Sequence, residues 1–240
     1  MKMGGTVYGM GLLCIMADCC KKHDRMHRKW HASQHRKPLQ GLEAEMYEAF
    51  VKEPVDLERL EQLLNAGVDP DLHNPCAKAT LLGLATDEKS DAVRLLIKKG
   101  ANPNARRNGG LTPLHWAVSG ADADDESTED SKATIVGLLL DAGARVNDAA
   151  NKQGWTPLHL AAGYKNERFV KLLVARGADV NAQDKAGRTP LHFAIAYHHD
   201  AIAQALLAAG ADPHLQDNDG YTPTDNRPLP RELQAEDERN

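Results

Sequence analysis

Apolar residues along the chain fall in short blocks with helical spacing, separated by polar stretches that glycine punctuates. Leu158, Ala161 and Ala162, then Phe169, Val170, Leu172 and Leu173, mark the apolar faces of two short helices. Thr156 is placed to cap the first through its hydroxyl. Pro157 suits the first turn, where a missing N–H costs nothing. Gly177 stops the second helix by adopting the left-handed conformation, and the polar stretch from Asp179 to Gly187 predicts an extended excursion with a tight reversal. The unit reads as helix, turn, helix, hairpin.

That unit repeats. Thr156-Pro157-Leu158-His159 returns as Thr189-Pro190-Leu191-His192, a step of 33 residues. Gly67, Gly100, Gly143, Gly177 and Gly210 lie 33, 43, 34 and 33 apart. The long interval holds an insertion, 121–131, which is expected to be a mobile loop between the two helices of its unit. Thr112-Pro113-Leu114-His115 opens that unit, and Ala79-Thr80-Leu81-Leu82 is a degenerate predecessor. Asp217 to Asp225 starts a further motif and stops. The units run at about 41–73, 74–106, 107–150, 151–183 and 184–216, with a C-terminal cap at 217–226 and a polar tail at 227–240. One unit cannot bury its apolar face alone, so the units must stack.

On these motifs, residues 41–226 resemble the ankyrin repeat family. The resemblance implies an all-α repeat solenoid of stacked helix-turn-helix units with β-hairpin fingers. It further implies a non-catalytic scaffold that binds a protein partner on its concave face and hairpin tips. The position before the motif threonine is Leu111, Trp155, Arg188 and Tyr221 in successive units, and a position after the first helix gives Tyr164 and Tyr197. Trp, Tyr and Arg concentrate energy in protein interfaces, so these columns are candidate partner contacts, packing against adjoining hairpins being the alternative. Arg106, Arg107, Asn108, Lys152, Gln153, Lys185, Asn218 and Asp219 would form the polar rim at the fingertips. A monomer is expected, with no cofactor and no nucleic-acid partner.

Composition agrees and adds an asymmetry. Aromatics are 5% of 240 residues, too few for a typical sandwich or barrel. The net charge of −5 divides: residues 1–40 hold eight Lys or Arg against two Asp or Glu, +6, and the remainder carries −11. Three of the four Cys lie in the first 20 residues, so no disulfide framework can hold the repeats. The leader 1–40 is expected to be disordered or membrane-proximal. The cytoplasm is the expected location, and the alternative function is a membrane-associated adaptor or exported effector positioned by residues 1–20. Cys19, Cys20, His23, His27, His31 and His35 look like metal ligands, but no second set closes a tetrahedral site. The insertion carries six carboxylates without the glycine of a calcium loop, and weak association with the basic leader is a second use for its charge.

His115, His159 and His192 recur once per unit, as a structural residue would. In the family resembled, that histidine bonds neighbouring turn backbone. No Ser or Cys nucleophile, phosphate loop or paired-carboxylate signature accompanies them, so no catalytic residue is expected.

Overall fold

The structure is a computed structural model that describes residues 39–52, 54–73, 79–86, 89–106, 110–119, 126–150 and 152–225. The leader cysteines and histidines, Arg107, Asn108, residues 121–125 and the tail therefore lie outside the described residues. The chain divides into two compact units between Ala44 and Glu45, inside the first helix, and the repeat array lies in the second unit.

Ten helices are found among the described residues: α1 (Leu39–Val51), α2 (Leu57–Asn65), α3 (Leu81–Ala85), α4 (Ser90–Lys98), α5 (Pro113–Ser119), α6 (Glu126–Asp141), α7 (Pro157–Gly163), α8 (Glu167–Ala175), α9 (Pro190–Ala196) and α10 (Asp200–Ala208). A 3-10 turn, Pro223–Asp225, closes the series. They form two rows. The first helices of the units, α3, α5, α7 and α9, pack in succession and end on the 3-10 turn. The second helices, α2, α4, α6, α8 and α10, form the other row.

Alanines govern the first row, since Ala85, Ala117, Ala161 and Ala194 are fully buried and let successive helix backbones approach closely. Leu82, Leu114, Leu158 and Leu191 are buried with them, as are Val93, Ile135, Phe169 and Ile202 of the second row. Gly177, at φ 83°, turns the chain out of α8 as expected.

The fingers differ from the expected β-hairpins. No strand forms among the described residues, only isolated bridges such as Ala150 with Trp155. A carboxylate takes the N–H groups that a longer ladder would pair. Asp184 Oδ1 accepts from Ala186 and Arg188 at 2.8 and 2.9 Å, and Asp217 Oδ1 accepts from Asp219 and Tyr221 at 2.9 and 3.0 Å.

The insertion also differs. Its second half is helical, because α6 begins at Glu126 and reaches 16 residues where α8 has nine. Acidic sequence favours the positive end of a helix, which suits that early start.

Candidate interaction surface

Threonine and histidine close a hydrogen-bonded ring where the first helix of a unit begins. The Thr156 N–H donates to Nδ1 of His159 at 3.1 Å, and Thr156 Oγ1 lies 2.8 Å from the same nitrogen. A backbone N–H can only donate, so Nδ1 accepts. The ring proton is then on Nε2, which donates to the Arg188 carbonyl of the next unit at 3.0 Å. His115 reaches the Trp155 carbonyl and His192 the Tyr221 carbonyl in the same way, each at 3.2 Å. Burial pushes the imidazoles of His115 and His159 down to about 4 and lowers that of His192. In the cap Asp225 stands in for histidine. Its carboxylate accepts the Thr222 N–H at 2.5 Å and the Thr222 hydroxyl at 2.8 Å, bonds that hold its pKa below the usual carboxylate value.

Those bonds explain the column before the threonine. What repeats at Trp155, Arg188 and Tyr221 is the carbonyl that receives the histidine, so the side chain is left to local packing. Trp155 is only 3% exposed: its Nε1–H donates to Asp184 Oδ2 at 3.1 Å and its ring stands edge-on to Phe193 at 5.8 Å. Arg188, 7% exposed, donates from Nε and Nη2 to the same carboxylate at 2.9 and 2.8 Å and covers Phe193. Both side chains are therefore consumed between the fourth and fifth units, which corrects the reading of them as partner contacts. Leu111 is half-buried, whereas Tyr221 in the cap is 41% exposed.

At the tips, two residues of different chemistry make one contact. Gln183 Nε2 donates to Gly187 O of its own finger at 2.8 Å and to Gln216 O of the next at 3.2 Å. Arg106 Nη1 donates to Gly110 O and to Ala149 O of the next finger, at 2.8 and 3.2 Å, while Nη2 meets Asp148 at 2.5 Å. Arg106 is thus a staple between fingers. Asn218 is another, since its Nδ2 donates to Lys185 O and its N–H to Ala186 O, at 2.8 and 2.9 Å. A Cβ at Gly187 would come within 2.7 Å of the Asn218 side chain, so glycine is required there. The Gln153 carbonyl accepts from the Lys185 N–H at 2.8 Å and aligns the tips. Lys152, Lys185 and Asp219 are exposed beside them.

Tyr164 and Tyr197 sit elsewhere. They are the half-buried C-caps of α7 and α9, separated from the tips by a seven-residue helix, about 10 Å. Tyr197 stacks on His199 with 6.0 Å between ring centroids, and burial raises its phenol pKa. His199 Nδ1–H donates to the Ala162 carbonyl of the preceding unit at 2.8 Å, a partner the sequence did not reveal. The expected surface is therefore two groups, tips and turns, at opposite ends of the first helices. Lys165 and His198 are not among the residues expected at the surface. Both are exposed at positive φ, 61° and 58°, and the step of 33 relates them.

Among the described residues, no group of three or more His, Cys, Asp or Glu side chains is placed to hold a metal ion. No helix there is long and apolar enough to cross a membrane.

Helix pairs stacked in register, tied unit to unit by histidine and by finger staples, define a helical repeat protein. The family model for ankyrin repeats matches residues 48–125 and 127–217, well over half of the chain, and the chain belongs to that family. Its relatives include human neurogenic locus notch homolog protein 4, 41% identical over 120 residues, half of this chain and 6% of that protein. An intracellular phospholipase A2 of Caenorhabditis elegans is 36% identical over half of this chain and 11% of its own length. Human ankyrin repeat and SOCS box protein 16 is 38% identical over 45% of this chain and 20% of its own. The chain thus matches a fifth or less of each of these relatives. Ankyrin repeats are generally non-catalytic modules that bind other proteins.

Proposed function

We propose that the array is a non-catalytic scaffold that holds a protein partner across its first-helix row, using the fingertips and the turns at the far end of that row. One observation carries this reading: the repeated histidines are taken up in bonds between units and Arg188 in a buried pair with Asp184, whereas the Lys152 and Lys185 side chains remain exposed on the aligned tips. Recognition has a polar, stapled surface to work with. The protein acts as a monomer in the cytoplasm in this reading, and sedimentation and fractionation of the full chain test those two points.

The main test is affinity capture with the full chain as bait, against a variant with Lys152, Tyr164, Lys185 and Tyr197 replaced by Ala. Trp155 and Arg188 are left intact, because truncating a buried aromatic costs roughly 3–5 kcal/mol and would confuse lost folding with lost binding. The expected result is loss of a specific protein with a nearly unchanged melting temperature. Undiminished capture by the variant sinks the assignment of the surface.

A further inference from the structure

A terminal repeat needs a polar outer face, because no further unit shields it. The last second helix lacks one. α10 packs on α8 and α9, and the 3-10 turn packs on α9. The turn therefore closes the first row and leaves the end of the second row open, with Leu207 44% exposed. The step of 33 pairs α10 with α8. Where α8 carries Arg168, Lys171 and Arg176, α10 and its cap have Ala201, Gln204 and Ala209, all exposed. The terminal helix, with solvent on one more side, thus carries fewer charges, the pattern of a helix that is covered. Charge around it has one sign. From Asp200 to Asp225 the chain has five Asp and no Lys or Arg, and Asp200 and Asp212, at either end of the open stripe, are exposed. A matching cover is apolar in its middle and basic at its ends.

The chain that follows Asp225 reads Asn226-Arg227-Pro228-Leu229-Pro230-Arg231. It offers one large apolar side chain between two arginines and no carboxylate. Neither proline has an N–H, so such a segment strands few donors on an apolar surface, and each proline biases the residue before it to extended backbone. Extended, Arg227 and Arg231 stand about 13 Å apart, and the nine residues of α10 are about 13 Å long. The cap is set at the tip end of α9, the end at which α10 finishes with Leu207. Beyond Arg231, Glu232, Glu236, Asp237 and Glu238 return the sign to negative, which bounds the matching stretch.

We propose that residues 226–231 dock as an extended strap along the open face of α10, with Leu229 on Leu207, Arg227 toward Asp212 and Arg231 toward Asp200. The tether gives the strap a high local concentration, so one apolar contact and two charge pairs suffice to seat it. The strap keeps a second copy off an apolar face on which it would otherwise settle. The test uses the full chain, labelled with carbon-13 at the leucine methyls and with nitrogen-15 throughout. A nuclear Overhauser cross-peak between the Leu207 and Leu229 methyls should be present and independent of protein concentration. R227E/R231E should abolish it and R227K/R231K should keep it. Leu229→Asp should speed amide exchange in α10 about fivefold and leave α7 unchanged. A missing cross-peak, one that grows with concentration and so reports a second copy, one that survives charge reversal, or α10 exchange unmoved by Leu229→Asp would each overturn the proposal.

Discussion

His159 shows how one residue ties chemistry to architecture. Its Nδ1 accepts within its own unit and its Nε2 donates to the next, an arrangement that only the neutral ring can satisfy. Protonation would set one N–H against another. The sign of the pH dependence follows. The unfolded chain binds protons below the ordinary histidine value of about 6.5, whereas folded His115 and His159 stay neutral until about 4. Stability is therefore fully present above 6.5 and falls as pH drops toward 4, by about 1.4 kcal/mol per pH unit for each such ring. Urea unfolding at stepped pH should show this slope, and His159→Gln should flatten part of it while lowering stability at neutral pH. A stability that holds level from pH 6.5 to 4.5 would contradict the assignment of neutral buried rings.

At the scale of the element, the turn after each second helix repeats a bond that one unit breaks. Asp69, Asn102, Asp179 and Asp212 each accept from the N–H two residues on, at 2.8 to 2.9 Å. In the third unit that place is held by Arg145, which has no acceptor to offer. Around it the ladder continues: Asn104, Asn147 and Asn181 each take an N–H of the next unit at 2.8 Å and donate to its glycine carbonyl at 3.0 to 3.2 Å. Arg145→Asn should restore the missing bond without adding a charge beside Asp148, raising stability by about 0.5–1 kcal/mol. Chemical denaturation measures it. A loss of stability would mean that the arginine makes a contribution of its own to the fold.

For the whole array, stability is close to a sum of unit and interface terms, so exposure at each unit sets where opening starts. The degenerate first units and the interrupted third are expected from sequence to fray before the fourth. The structure adds the last pair to that group. Leu207 of α10 is 44% exposed, while its counterpart in the first unit, Leu64, is 9% exposed. Amide exchange should be slowest in α7 and α8, which have a packed unit on either side, and faster in α3 and α10. Equal protection of α10 and α7 would refute the order.

The period, the helix pairs, the cap and the structural role of the histidines were legible in the chain because each depends on local spacing and on residue types that serve one conformation: Thr-Pro at a helix start, glycine at its end. The candidate surface was legible only in part. Lys152 and Lys185 do lie exposed on the tips. Trp155 and Arg188 were misjudged because a column of equivalent positions records a shared backbone role, and Trp155 Nε1 finds its acceptor 29 residues away on Asp184. Arg106 and Gln183 look unrelated as letters and become one device once the next finger supplies a carbonyl. Local sequence determines which backbone conformation each segment takes. Which side chains are left for a partner is decided by the neighbouring unit, because burial and hydrogen-bond satisfaction belong to the stack and not to the repeat.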